Sequence, residues 1–580
     1  MLSQPSANDI IPLLNELCEA DIDRQARSHH TVEGARVKAV LVRPPVYCRA
    51  LKYPSGPRFG LPISLLYLAA YLEHLGVSVA IYDGLIDFDW KDVKADSQGR
   101  YHIGVSWGAM ADRVQDYRPD VVGITNPFCD MAEYAIRAAE EIKAARPDVV
   151  TVIGGPHATS CPEEFLSEKG SVDYVVRGEG EKALADLVNA LSNGGDPRRV
   201  PSISYMDHGQ VCSNPRGPFI KRLDDLPLPA YHLVPIEKYF DYVKGGYPSR
   251  FTFEYPGSER EVSIITSRGC PFHCVFCGNH LLMGRVWRHH SVRYVLTHME
   301  LLVRTYGVRH FHIEDDNLGL DTGRLRDLLD GIISKGWDIT WDTPNGVRAH
   351  GWDREVLSRS RASGCTYLEF GIESGRQETL DKIIKKGIRL DELERVLSIC
   401  EHSKIDIHAF YVVGFPGETH ADIDETFKFA KRVLWRYGVI PHLYMARPLR
   451  GTELHEICEK NGYLTRRLLP DMGSRFRSEV FPRVMIRTEH FGPEDLEKWI
   501  GHFNRQVIAI VLLKTVVWLI CHPRVIPAVF RKFLCDRRRG LKEATKRAFY
   551  GGLFFKFNYL NKRLRSKYGV LPSLPSNRHG

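Results

Sequence analysis

Ser267-Arg268-Gly269-Cys270-Pro271-Phe272-His273-Cys274-Val275-Phe276-Cys277 places three thiols within eight residues, in the order C-x3-C-x2-C. The apolar run at 262–266 just before it reads as a short strand, so the thiols stand on the loop that follows a strand. Three thiolates on one short loop can hold three irons of a [4Fe–4S] cube, whose ligands are normally four cysteines, and leave the fourth iron open. Gly269 and Pro271 help the chain to wrap, and Phe272 and Phe276 keep water away. The alternative is a Cys3His zinc site with His273, His280 or His289 as fourth ligand. Zinc sites usually pair two C-x2-C elements, and the sequence has no second pair. The remaining cysteines are widely spaced, and Cys129, Cys161, Cys365, Cys400 and Cys458 read as core or loop thiols. An odd total of 13 without a regular framework points to a reducing, cytoplasmic compartment.

Downstream, apolar runs at 262–266, 308–314, 339–343, 367–371, 406–413 and 442–446 alternate with helical stretches. Six βα units predict a barrel or partial barrel over residues 261–465. A barrel's ligands gather where its strands end. The segments there are Glu314-Asp315-Asp316-Asn317, Gly371-Ile372-Glu373-Ser374-Gly375, Gly414-Phe415-Pro416-Gly417-Glu418-Thr419 and Pro448-Leu449-Arg450-Gly451-Thr452-Glu453-Leu454. Taken singly, Asp315 and Asn317 read equally well as cap or turn residues, and 414–419 as an ordinary loop.

Upstream, runs at 38–42, 77–82, 121–125, 149–153 and 172–176 alternate with helical patterns at 65–75, 131–145 and 182–191. Continuous apolar strands of this kind belong to a parallel sheet covered on both faces. Residues 36–195 are therefore expected to form a doubly wound, Rossmann-like α/β domain. Residues 1–35 are a lead-in, 196–260 a linker carrying a small β element, and 466–580 a basic helical C-terminal region. Gly154-Gly155-Pro156-His157 and Gly178-Glu179-Gly180-Glu181 follow the fourth and fifth strands, where a ligand of a doubly wound sheet sits. Glycines there let the backbone approach a flat, bulky ligand, or they merely turn the chain.

C-x3-C-x-aromatic-C, with Phe276 in the aromatic slot, resembles the signature of the radical S-adenosylmethionine (SAM) superfamily. The resemblance implies a partial (β/α)6 barrel with a [4Fe–4S] cluster on Cys270, Cys274 and Cys277. SAM would chelate the open iron and be cleaved by one electron to methionine and a 5′-deoxyadenosyl radical. It implies SAM contacts at Phe276, Asp315, Asn317, Glu373, Ser374 and Gly414. Of these, Glu373 and Ser374 would meet the amino-acid or ribose end, and Gly414 would admit the adenine. A doubly wound domain ahead of such a barrel resembles the cobalamin-binding subfamily, which includes anaerobic porphyrin-ring cyclases and hopanoid methylases. That resemblance, over about residues 36–465, implies a cobalamin-binding N-terminal domain with contacts at Gly154, Gly155, Pro156, His157, Gly178, Glu179 and Gly180. No Asp-x-His-x-x-Gly segment occurs, so no lower cobalt ligand is named and His157 is a loop candidate only.

The implied reaction is C-methylation of an unactivated carbon of a small-molecule or lipid substrate, with a reducing partner such as flavodoxin or ferredoxin. Rearrangement, cyclisation or oxidation would use the same motifs. A non-enzymatic cobalamin or iron–sulfur carrier or sensor would bind the cofactors without cleaving SAM.

The net charge of +8 is unevenly placed. Residues 501–580 hold 17 Lys/Arg against 2 Asp/Glu, a balance of +15, and the remainder balances at −7. Such a tail favours an anionic surface over an anionic active site. The longest apolar run, 507–521, contains Lys514 and is short of the roughly 20 residues that span a bilayer, so no transmembrane helix is expected. Together with the basic stretch 531–539 and the aromatic stretch 549–559, it reads as a peripheral membrane contact or as a helical lid over the barrel. Nucleic acid is not expected: the tail could hold RNA, but no RNA-binding module is recognised and the body is net acidic.

Overall fold

In the computed structural model, described over residues 37–48, 57–97, 99–168, 170–245, 247, 258–401, 403–467, 483–521 and 523, the two series of apolar runs become two sheets. Strands β1 (Lys38–Arg43), β2 (Ser78–Asp83), β3 (Val121–Thr125), β4 (Val150–Gly154) and β5 (Tyr174–Val176) pair in parallel in the order β2-β1-β3-β4-β5. Side chains alternate across a strand. Ala39 and Leu41 accordingly enter one core with helices α1 (Ile63–His74) and α5 (Gly180–Ser192). Val40 and Val42 enter the opposite core with α2 (Trp107–Tyr117) and α3 (Ala132–Ala145). Both faces are buried, which is why these strands are apolar throughout. The strand order reverses between β1 and β3, and a doubly wound sheet opens its ligand crevice at the carboxyl ends of such a pair.

The short helix α4 (Pro156–Ser160) follows β4. Beyond β5, the hairpin β6 (Ile203–Asp207) and β7 (Gln210–Ser213) adds antiparallel to the same sheet. The small β element expected within 196–260 thus covers an edge that β5 would otherwise leave unpaired.

Helix α6 (Ile236–Lys244) leads to the second sheet, which starts at β8 (Glu261–Ile264). Two-residue strands β9 (Ser267–Arg268) and β10 (Arg288–His289) then pair antiparallel and close the base of the loop that carries the three cysteines. Strands β11 (His310–Ile313), β12 (Thr340–Val347), β13 (Cys365–Glu373), β14 (Asp406–Val413) and β15 (Ile440–Met445) join β8 in the parallel order β8-β11-β12-β13-β14-β15. Six parallel strands in sequence order, with β8 and β15 as edges, form a partial barrel. Helices α7 (Val292–Tyr306), α8 (Thr322–Lys335), α9 (Arg354–Ala362), α10 (Leu390–Cys400) and α11 (His420–Tyr437) pack on Val262, Ile264, Phe311, Ile313, Leu368 and Phe370. The alternate residues Glu261, His310, His312, Asp342, Glu369 and His408 take the inner face and are buried there.

After α12 (Glu453–Lys460), the strands β16 (Leu464–Arg467) and β17 (Arg483–Ile486) pair antiparallel. Helix α13 (Pro493–Cys521) then lays Leu496, Ile500, Phe503, Val507 and Val511 against the barrel core at helical spacing. Lys514, which interrupts the apolar run, donates to the Leu434 and Trp435 carbonyls at 3.2 and 2.7 Å and so closes the end of α11. No described helix is long and apolar enough to cross a membrane. The expected lead-in at 1–35 and the stretches at 531–539 and 549–559 lie outside the described residues.

Candidate active site between the two sheets

The cysteine loop is held at its start by two carboxylates from the end of β11. Asp315 accepts the Thr266 N–H at 2.5 Å, the Thr266 hydroxyl at 2.6 Å and the Ser267 hydroxyl at 2.7 Å. Asp316 accepts the Gly269 N–H at 2.8 Å. Gly269 has φ +84°, and a Cβ there would lie 2.4 Å from the Val286 carbonyl, so only glycine admits this path. The middle of the loop is pinned by Val275, whose N–H donates to Ile384 and whose carbonyl accepts from Leu454. Asp315, expected as a SAM contact, thus takes three donors from the start of the loop.

Cys270, Cys274 and Cys277 are half-buried and not joined in disulfides. Burial pushes the Cys270 thiol up and the Cys277 thiol up to about 11, a cost that metal coordination removes by taking the thiolate. His280 and His289 turn ring nitrogens to the Cys277 and His290 carbonyls, each at 3.0 Å. Arg348 lies over the Phe272 ring at 3.4 Å, and its guanidinium and the Lys386 ammonium both feel the loop's thiols.

Around this loop the expected SAM residues separate. Glu373 ends β13 with φ +69°, a conformation non-glycine residues rarely hold. Its carboxylate meets the buried Lys386 Nζ at 2.8 Å. Burial opposes the charge on Lys386, and Glu373 outweighs it, so the ammonium is held above its ordinary value. Phe276 sets its ring 5.8 Å from Phe415. Asn317 is buried, with its side-chain nitrogen unpartnered. Ser374 does not join them: its fully buried hydroxyl pairs with Thr426 at 3.0 Å and accepts the Arg376 N–H at 3.2 Å. Gly414 does not open to a ligand on its Cβ side either, because Leu496 of α13 stands 2.5 Å from where that Cβ would be. Glu418 accepts the Gly414 and Phe415 N–H groups at 2.8 Å each. Burial lifts its carboxyl to about 7, and its second oxygen is unpartnered.

On the other side, Gly155 lies at the carboxyl edge of the first sheet. Its φ is +128°, and a Cβ would collide with the Asn126 carbonyl at 2.2 Å, so only glycine packs there. Gly154 ends β4, and Pro156 opens α4. The buried Asn126 follows β3 at the strand reversal, and its side-chain oxygen is unpartnered. It was not legible in sequence because nothing marks an asparagine after a strand as special. His157 is bound to Glu164 at 2.7 Å. The Gly178 N–H donates to Thr159 Oγ1 at 2.9 Å, and Gly180 packs on Leu68.

Glu179, expected as a cobalamin contact, faces the barrel. Its carboxylate accepts from Arg268 at 3.2 Å and Arg288 at 2.8 Å, and Glu181 accepts from Arg268 at 2.7 Å. All four side chains are only 5–6% exposed. Burial works against the Glu181 charge, and Arg268 overrides it and holds the carboxyl below its ordinary value. Arg450, beyond β15, pairs with Glu163 at 3.0 Å across the same boundary. The glycine edge and the cysteine loop therefore face one another. The donor set fits an iron–sulfur cluster, and the orphan Asn126 oxygen at the strand reversal offers an acceptor to a polar ligand beside it.

Comparison with known proteins agrees. The B12 binding domain family matches residues 58–188, and the Radical SAM superfamily matches residues 264–430. An uncharacterized methyltransferase of Pyrococcus horikoshii is 32% identical over 466 residues, covering 80% of this chain and 90% of that protein. The anaerobic magnesium-protoporphyrin IX monomethyl ester cyclase of Rubrivivax gelatinosus is 27% identical, over 74% of this chain and 73% of its own. The solved structure of the radical S-adenosylmethionine methyltransferase TsrM from Kitasatospora setae, with cobalamin and a [4Fe–4S] cluster bound, superposes with a TM-score of 0.61. It is 20% identical and covers 82% of this chain and 91% of TsrM, and so shares the fold.

Proposed function

The chain belongs to the cobalamin-binding radical SAM enzyme family, and from that premise we propose that it methylates an unactivated carbon of a small-molecule or lipid substrate. Together the cluster, SAM and cobalamin supply a carbon-centred radical and a methyl group, and the protein's part is to bind, orient and exclude water. Cys270, Cys274 and Cys277 would hold the cluster, with Phe272, Phe276 and Phe415 shielding it. Glu373 and Lys386, a buried and oppositely charged pair beside the loop, would meet the amino and carboxylate groups of SAM. Gly154, Gly155, Pro156 and Asn126 would line the cobalamin, with no lower histidine ligand. Free thiols suit a reducing, cytoplasmic compartment, where flavodoxin or ferredoxin would deliver the electron.

The observation that carries the reading is the cysteine loop, clamped by Asp315 and Asp316, facing the glycine edge of the first sheet. The test is the ultraviolet–visible spectrum of protein purified without oxygen. Iron–sulfur and corrinoid absorption should appear together, and zinc without iron at the cysteines would end the proposal.

A lipid is the substrate class that α13 favours. Leu512, Leu513, Val516 and Ile520 are 37, 52, 52 and 71% exposed and share one side of the helix. The sequence carries no acidic residue from 498 to 535, and residues 522–580 hold 15 Lys/Arg against 2 Asp/Glu. An apolar stripe followed by basic chain is the composition of a segment that lies on an anionic bilayer. In flotation with phosphatidylserine vesicles, the full chain should rise and L513E/V516E/I520E should stay below. Equal flotation would refute the membrane contact.

A further inference from the structure

Arg268 and Arg288 stand directly opposite one another in the two-residue ladder of β9 and β10. Like charges facing each other across a ladder push it open. This pair closes the base of the cysteine loop, two residues before Cys270 and eleven after Cys277. What lies between the guanidiniums is the Glu179 carboxylate, which accepts from Arg268 through one oxygen and from Arg288 through both. Glu181 takes the other arm of Arg268. The carboxylates belong to the first sheet's domain and the guanidiniums to the barrel, so neither part balances its own charge at this boundary.

Burying four charges adds little net stability compared with apolar packing of the same volume, and removing one partner strands the rest. Mere adhesion of two domains does not call for it. Position does. Arg288 also donates to the Met283 carbonyl inside the loop at 2.7 Å and to the Ile220 carbonyl at 2.7 Å, and the Ile220 N–H returns to Glu179 at 2.9 Å. Gly178, just before Glu179, is fastened to Thr159 of α4, which follows Gly155. The loop at 178–181, where the family resemblance implies cobalamin contacts, is thus tied to α4 at one end and to the base of the cysteine loop at the other.

We propose that Glu179, assisted by Glu181, is a positioning residue for the iron–sulfur cluster: its carboxylate holds the two arginines together and keeps the cysteine loop closed. The inference rests on the reading of the cysteines as cluster ligands. It makes cluster retention depend on a residue more than 90 positions before the first ligand, in a domain that contributes no sulfur.

The test uses the full chain reconstituted anaerobically with iron and sulfide. In E179Q, iron should pass to a ferrous chelator roughly tenfold faster than in wild type, the usual scale for loss of a residue that orients metal ligands. The electron paramagnetic resonance spectrum of the dithionite-reduced cluster should change as well, while corrinoid absorption persists. In E179Q/R288Q the opposed charge is gone, so iron loss should slow again, a rescue that loss of packing alone does not produce. E179Q with wild-type iron retention and an unchanged spectrum overturns the proposal, as does a double variant that loses iron faster than E179Q. Loss of corrinoid with iron retained returns Glu179 to cobalamin and overturns it too. A wild-type chain that takes up no iron sinks the cluster reading itself, and the inference with it.

Discussion

Alanine at Cys270, Cys274 and Cys277 together will abolish the conversion of SAM to 5′-deoxyadenosine, measured by chromatography after anaerobic reconstitution and reduction with dithionite. Product should fall to the level of the protein-free control. The three thiols are the cysteine donors of one loop, and the triple variant keeps no sulfur ligand there. His280 and His289 each turn a ring nitrogen to a carbonyl, and a compact donor group among the described residues of the barrel, His310, His312 and Asp342, lies on its inner strands. The iron content should fall with the activity, while corrinoid absorption remains, because the glycine segments at 154–157 and 178–180 follow strands of the other sheet. Product from the triple variant would refute the assignment. A wild-type chain that binds both cofactors and yields no product would instead be a carrier or sensor.

The stability of the barrel will fall as pH rises from about 6.5 to about 9, followed by circular dichroism during heating, and H312N will flatten that dependence. His312 is buried on the inner face of β11, with Nδ1 2.8 Å from Asp342 and Nε2 3.6 Å from Glu261. Burial disfavours its charge, but Asp342 and Glu261 outweigh burial and raise its pKa to about 9. Asp342, also bonded to His310 at 3.2 Å, is held well below the ordinary carboxylate range. A histidine whose folded pKa lies above its unfolded value of about 6.5 stabilises fully below that value. The contribution is lost as pH climbs through about 9. It amounts to about 3 kcal/mol at about 1.4 kcal/mol per pH unit. For Asp342 the sign is opposite, and its share is lost only as pH falls into the acid range. A variant with the wild-type slope between pH 6.5 and 9 would remove His312 from this role.

A side chain's partner is what the sequence withholds. Asp315, Ser374 and Gly414 lie at strand ends, as ligand-binding residues of a barrel do. In the fold Asp315 accepts from Thr266 and Ser267, Ser374 pairs with Thr426, and Leu496 stands beside Gly414. Strand periodicity places each residue along the chain, and it says nothing of what occupies the neighbouring space. Asn126 and Lys386 show the converse. Neither belongs to a motif, yet one leaves a buried oxygen orphaned at the strand reversal and the other neutralises Glu373.

Apolar strands repeating between helices, and thiols spaced C-x3-C-x2-C, were enough to establish the two sheets, their order along the chain and the family. Periodicity and covalent spacing act over a few residues, so they are written locally. The pairing of Glu179 with Arg268, 89 residues away, and with Arg288, 109 residues away, belongs to the tertiary structure alone. So does the meeting of His310 and His312 with Asp342. A charge attracts any opposite charge equally, and only the folded chain decides which one it reaches and whether water is left between them.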